Sequence, residues 1–312
     1  MRTLHALPWQ LWFVVLGGIW GCSFLFIKLG LQSLSPVGVA FGRAAIGALV
    51  LLAVTRATGT RLPRDRRVWR HLAVVALLFC SIPFTLFAFG ETHVSSILAG
   101  IINACTPLMA LGVILAAFPE ERPPRDRALG LVVGFAGVLV VVGAWNGLGG
   151  GELAGVLACL GAVLCYGIAY PYTRRHLSGI PEGPIAIAVA QVGLGALFLL
   201  PVVVVVSIAD GGGVTTPIAL DTVIGMLALG ALGSGIAYVL SNHLVIEAGP
   251  AVASSVTYIT PLFAVAAGSI FLSEPLAWYQ PVGGAIVLLG VAISQGRTRL
   301  PGRSRVVPSE PA

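Results

Sequence analysis

Thr106-Pro107-Leu108, followed fourteen residues on by Glu120, is written a second time as Thr260-Pro261-Leu262 with Glu274 at the same distance. Both copies sit inside apolar runs. Each leads into a second, Gly-spaced apolar run, Gly130 to Gly143 in the first case and Gly283 to Gly290 in the second. The copies stand 154 positions apart, close to half of the 312 residues, so the chain reads as two homologous halves. Duplication in an almost wholly hydrophobic chain points to a transporter built from structural repeats, with its site where the repeats meet.

Apolar residues make up 57% of the chain and charged residues 10%, with a mean hydropathy of +0.97. A soluble domain carries roughly 25% charged residues, and no soluble fold of this length hides so much apolar surface. The sequence therefore predicts an all-α integral membrane protein, because lipid offers no partners for free amides and carbonyls. Ten apolar runs of about 20 residues are each long enough to cross, at about 9–31, 36–55, 70–90, 94–118, 127–145, 152–174, 184–207, 221–246, 250–273 and 278–296.

The basic residues set an expected orientation. With the N-terminus in the cytoplasm, the inside segments collect sixteen of the eighteen Lys and Arg residues, among them Arg56 to Arg70, Arg122 to Arg127, Arg174 and Arg175. The outside loops carry Glu91, Asp210, Asp221 and Glu274 instead. Such sidedness predicts both termini inside. The net charge of +6 is thus accounted for by topology and not by a nucleic-acid footprint, since these Arg loops lack interleaved aromatics. Five helices per half is an odd number, so the second half must insert upside down, and its loops change sign accordingly. The stretch from Pro119 to Arg127 holds three Arg, whereas the matching Ser273-Glu274-Pro275-Leu276 holds none. The expected organisation is a first repeat over 10–145, a second, inverted repeat over 152–296, and a disordered cytoplasmic tail over 297–312.

Cys22, Cys80, Cys105, Cys159 and Cys165 all fall inside spans, with no CxxC pair and no His at ligand spacing. They read as reduced core residues, and neither a metal nor a cofactor is expected. The first apolar run is too long for a signal peptide and lacks a small-residue cleavage site. Seventeen Arg against one Lys is the composition of a GC-rich bacterial genome.

An ordered set of residues resembles the drug/metabolite transporter superfamily, specifically proteins with two EamA-type domains. The first half carries Ile19-Trp20-Gly21-Cys22-Ser23-Phe24, then Lys28, Pro36, Arg43, Thr106-Pro107-Leu108 and Glu120-Glu121-Arg122. The second carries Tyr166-Gly167, Arg174, Thr260-Pro261-Leu262, Glu274-Pro275 and the Gly283 to Gly290 run. The resemblance spans roughly residues 10 to 296. It implies transport of a small metabolite such as an amino acid, or of a toxic compound, across a bacterial inner membrane, with export as the expected direction. Gln191 stands roughly where Arg43 would fall in the second half, a departure from the idea that both halves supply the same charge.

Arg43 lies near the middle of helix 2, where an Arg costs about 2.5–3.5 kcal/mol on insertion scales. It reads either as an anchor for a substrate anion or as a structural charge held by groups of its own half. Lys28, towards the outer end of helix 1, reads as snorkelling to the headgroups or as part of a gate. Pro107 and Pro261 are expected to kink helices 4 and 9 at their midpoints, freeing the carbonyls of Asn103 and Thr257. Polar stripes at helical spacing converge on that depth: Ser96, Gly100, Asn103 and Pro107 on helix 4, Ser81 and Thr85 on helix 3, Ser234, Tyr238 and Asn242 on helix 8, and Ser254, Thr257 and Pro261 on helix 9 with Tyr258 alongside. Trp20, Tyr166 and Tyr170 reach a similar depth.

The expected substrate-binding set is therefore Trp20, Arg43, Ser81, Asn103, Thr106, Tyr166, Ser234, Tyr238, Thr257 and Tyr258. Such an aromatic lining with few charges suits a zwitterionic or amphipathic small molecule. Each Ser or Thr alone also reads as helix–helix glue. Glu91 and His93 read as solvated outer-loop residues or as members of a proton path, and His243 carries no assignment.

Enzyme signatures fail. Leu232 stands where a GxSxG around Ser234 needs its first Gly, and neither HExxH nor a phosphate-binding loop occurs. The expected partners are a small-molecule substrate and the lipid bilayer, and nothing in the sequence fixes an oligomeric state. A non-transporting sensor or assembly partner, and a channel-like permease, are the competing readings.

Overall fold

The computed structural model describes residues 9–117, 125–143, 145, 149–177, 179–209, 217–248 and 255–294. Glu120, Arg122, Asp210, Ser254 and the 297–312 tail lie outside the described residues, as does the side chain of Asn242.

Ten helices run through the described residues: α1 Trp9–Gly30, α2 Pro36–Thr58, α3 Arg66–Glu91, α4 96–117, α5 Arg125–Val142, α6 Gly150–Leu177, α7 Gly183–Ala209, α8 220–248, α9 255–271 and α10 Tyr279–Ser294. Seven of them hold stretches long and apolar enough to cross a membrane, and α5, α9 and α10 hold shorter apolar stretches. Local chemistry marks the ends. Ser35 caps α2 by accepting from the Gly38 amide at 3.2 Å, with Pro36 in the first turn, where a missing amide costs nothing. Gly59 stops α2 in the left-handed region at φ 66°, a conformation that glycine adopts without steric penalty. Asp65 caps α3 through the Arg67 amide at 2.8 Å.

Four helices are interrupted, in two matching pairs. A π turn occupies Leu77–Ser81 in α3 and Leu229–Ile236 in α8. Moved along by the repeat offset of 154, the first falls on 231–235, inside the second. In α4 a turn at Ala104-Cys105 separates Ser96–Asn103 from Thr106–Ala117, and in α9 the 3₁₀ turn Ser255–Tyr258 precedes Thr260–Phe271. The expected mid-helix proline kinks are thus breaks with a fresh helix start. Pro107 and Pro261 stand second in the restarting segments, where no intrahelical amide bond is lost. The Asn103 carbonyl is not left free, since Thr106 Oγ1 donates to it at 2.8 Å. Its copy Thr260 donates to Val256 O at 3.1 Å, not to Thr257.

The two Gly-spaced runs of the repeat pack on each other as α5 and α10. A Cβ on Gly290 would run into the backbone of Gly134 and Gly130, and one on Gly137 would lie 2.6 Å from the Val287 amide nitrogen. Close backbone approach of this kind is how membrane helices associate where water gives no hydrophobic drive. Large apolar side chains face outward elsewhere, including Val205, Ile208, Ile270 and Phe271. Trp145, Trp278 and Tyr279 cluster near the α5–α6 and α9–α10 connections, with Trp145 5.4 Å from Tyr279 and 6.2 Å from Trp278. Amphipathic rings of this type favour the headgroup level.

Candidate functional site

A cavity of about 580 Å³ lies between the two halves, lined by side chains of α1, α2, α3 and α4 and of α6, α7, α8 and α9. At one end it reaches Thr173, Arg174, Leu177, Ile180 and Pro184 around the α6–α7 connection, where Arg174 is exposed. At the other it stops at Ile27 and Phe87, one turn short of the α1–α2 and α3–α4 connections. The volume suits a small organic molecule.

Arg43 lines the cavity and is 6% exposed. Its Nε donates to Ser234 Oγ at 2.9 Å, and its guanidinium carbon lies 3.9 Å from the centre of the Phe84 ring, a cation–π arrangement. Ser234 belongs to the other half, so the charge is held across the repeat interface and not within its own half. Glycine makes this possible: Gly230 and Gly233 of the α8 π turn lie under Ile46 and Ser23, so side chains there would displace α2 and α1. Among the described residues no carboxylate forms an ion pair with Arg43, and a guanidinium with five donors keeps capacity for an anion.

Six of the ten expected residues besides Arg43 line the same cavity: Trp20, Asn103, Thr106, Tyr166, Tyr238 and Thr257. Asn103 is 7% exposed and its Oδ1 has no hydrogen-bond partner. Tyr238 donates its hydroxyl to the Phe79 carbonyl at 3.2 Å and sets its ring edge-on to Trp20 at 6.5 Å. That bond ties the regular stretch of α8 just past its π turn to the π turn of α3. Ser81, Ser234 and Tyr258 stand outside the lining. Ser81 gives its hydroxyl to Gly195 O at 3.2 Å, tying α3 to α7. Ser234 serves Arg43, and Tyr258 packs against the main apolar cluster.

Sequence reasoning missed the aromatic wall. Phe79 lies 5.7 Å from Tyr166 and 4.9 Å from Tyr170, and Phe87 lies 5.4 Å from Phe24. Phenylalanines among so many apolar residues give no signal of their own. Gln191 also lines the cavity, so the second half supplies a neutral amide to the site that holds Arg43. Thr173 adds a hydroxyl with no hydrogen-bond partner.

The closed end is built from charged groups. Lys28 is not turned to the headgroups: its Nζ donates to the Glu91 carbonyl at 2.5 Å and to Val94 O at 2.8 Å, tying α1 to the α3–α4 connection. Glu91, expected as a solvated loop residue, closes α3 fully buried. Gly90 lies against Cys159 and Gly155 against His93 and Val94, so α6 covers it. Glu274 reaches over from the second half. Its Oε1 accepts from the Ser96 amide at 3.0 Å, and its Oε2 accepts from Ser96 Oγ at 2.8 Å and the Ile97 amide at 3.1 Å. A carboxylate on the free amides of a helix start is a favourable pairing.

Comparison with known proteins bears on this architecture. The EamA-like transporter family matches the chain twice, over residues 7–143 and 153–295. The chain belongs to the EamA-like transporter family. Two repeats of that family make this a ten-helix membrane protein, and its relatives are transporters. The uncharacterized inner membrane transporter YedA of Escherichia coli is 27% identical over 93% of this chain and 92% of its own. A protein of Streptantibioticus cattleyicolor named as a probable terminal-alkyne amino-acid exporter is 26% identical over 92% of this chain and 93% of its own. One crystal structure superposes on this EamA-like transporter with a TM-score of 0.62 at 17% identity, over 93% of this chain and 96% of that one, which speaks to the fold alone.

Proposed function

We propose that this EamA-like transporter exports a small amphipathic metabolite bearing a carboxylate, of amino-acid type, across a bacterial inner membrane by alternating access. The observation that carries the reading is Arg43, a buried cation without an ion-pair partner among the described residues, facing an aromatic-walled cavity between two repeats. The guanidinium takes the carboxylate. The unpartnered amide oxygen of Asn103 takes an ammonium, and the rings of Trp20, Tyr166 and Tyr238 take the apolar part. Export is supported by the relative whose name gives an amino acid as its cargo.

In this reading residues 10–145 and 152–296 are the two inverted repeats, both termini are cytoplasmic, and the cavity opens to the cytoplasm past Arg174. The opposite end is closed by Lys28, Glu91 and Glu274. Rocking of the halves would open that end and close the other. A facilitative path would need no such closure.

The test compares metabolites released by cells overproducing the protein with those released by cells making Arg43→Ala. A compound enriched only outside the active cells supports export and names the substrate class. Equal release, with both proteins present in the membrane, counts against the reading. Saturable counterflow of that compound in vesicles separates a carrier from a channel.

A further inference from the structure

The buried carboxyl at the closed end has a part that the cavity does not explain. Glu91 is 0% exposed, and neither of its oxygens has a hydrogen-bond partner. Lys28 is close by, yet its ammonium is spent on the main-chain oxygens of Glu91 and Val94 and not on the carboxylate. The other charges acting on Glu91 are Glu274, reaching in beside the α4 start, and Arg43 on α2, while Cys159 on α6 is the remaining titratable neighbour. An ionised carboxylate sealed from water with no donor is expensive to keep, and such a group is carried with its proton on. The contrast with Glu274 is direct, because three donors meet that carboxylate.

Position gives the niche its meaning. Phe87, one turn before Glu91, and Ile27, next to Lys28, form the floor of the cavity. Glu91 therefore stands between the cavity and the end that must open. Three elements that would part on opening build its cover: α1 through Lys28, α6 through Gly155 and Cys159, and the α9–α10 connection through Glu274.

We propose that Glu91 is a proton-binding site whose occupancy is linked to closure of the α1–α2 end. The carboxyl takes a proton from the medium on that side as the end closes over it, and returns it to that medium when the end opens and water replaces the protein cover. The sign follows from linkage: the closed state binds one more proton than the open state, so acid favours closure and alkali favours opening. The role of the site in transport rests on the alternating-access reading above; the proton itself does not.

The test uses the full chain in lipid vesicles with protons as the only ligand. The infrared carbonyl stretch of a neutral carboxylic acid, identified by its shift in heavy water, is expected at neutral pH in the wild type. It is lost in Glu91→Gln, whose amide copies the shape of the protonated acid. In a C22A/C165A background, Ile27→Cys then reports the floor to an impermeant maleimide added on the α1–α2 side. Divided by the labelling of a solvent-exposed cysteine, which carries the thiolate's own pH dependence, the rate should rise with pH by at most about ten-fold per pH unit, and this normalised rise should vanish when Glu91→Gln is added. No carboxylic-acid band lost in Glu91→Gln overturns the site. A lost band with normalised labelling that is pH-independent in the wild type overturns the link to closure. Both readouts work without substrate, so a chain that binds this proton yet moves no solute fails the transport reading and keeps this one.

Discussion

Glu274→Gln should loosen the closed end by an amount that the geometry allows to be worked out. The carboxylate uses both oxygens, one on the Ser96 amide and the other on Ser96 Oγ and the Ile97 amide. A glutamine keeps one oxygen, so it forfeits one or two of these bonds and turns an N–H₂ toward groups that are themselves donors. It also removes a negative charge from the start of α4, where the helix dipole favours one. Hydrogen bonds to charged groups are worth about 1.5–3 kcal/mol each. Glu274 is half-buried, so solvent screening trims the net loss to about 2 kcal/mol. Because these bonds join the second half to the first only while the end is shut, the whole loss falls on the closed state. The closed-to-open ratio should drop about 30-fold. Spin labels at Gln32 and Leu276, on the two connections of that end, would report the change as growth of a longer-distance population in pulsed dipolar spectra. Gly268→Ala provides an independent perturbation, since a Cβ there would come within 2.9 Å of Glu274 Oε2 and crowd the same contact. Distance distributions unchanged in both variants would refute the claim that this carboxylate holds the end shut.

Arg43→Ala is expected to reach the membrane in normal amount and lose transport, whereas Arg43→Lys keeps the charge but loses the fork and should raise KM about ten-fold or more; export assays on membrane-quantified protein check both. Asn103→Leu should weaken substrate binding by about 1–3 kcal/mol, the cost of leaving a ligand donor unmet, measured as KM with abundance unchanged. Tyr238→Phe keeps the ring beside Trp20 and removes the hydroxyl that donates to Phe79 O and accepts from Cys80 Sγ, so thermal stability in detergent should fall by about 1 kcal/mol. Gly290→Leu would drive a side chain into the Gly134 backbone and should separate α5 from α10, lowering abundance and melting temperature before any transport measurement is meaningful.

The parts legible in the sequence were those that repeat or that violate the solvent. The Thr-Pro-Leu duplication located both helix breaks, and an Arg in a hydrophobic span could only face protein or water. Their detailed form was not legible. Whether a proline kinks a helix or begins a new one depends on where the chain turns just before it, and Ala104-Cys105 carries no turn signal. Glu91 looked like a loop residue because it follows an apolar run and precedes Thr92-His93. Its burial is decided by Gly155 and Cys159, about 65 residues away, whose small size lets α6 close over it. Lys28 misled in the same way: two carbonyls of the α3–α4 connection came within its reach, and the headgroups lost the competition. The α3 π turn left no mark, since Leu77 to Ser81 is as apolar as an ordinary helix.

Those π turns carry a consequence for chain length. Each takes up a surplus residue within its wide turn, so the residues downstream keep the phase of an uninterrupted helix. A deletion inside the turn is absorbed by closing it to an α-helix. A deletion in the regular stretch that follows has no such slack and turns everything downstream through about 100°. In α3 that rotation would sweep Phe87 away from the cavity floor and Glu91 out of its niche. A single-residue deletion within 82–86 should thus be far more damaging than one within 77–81. The helical phase of α3 and α8, as much as the identity of their side chains, is then a quantity that both halves must conserve together.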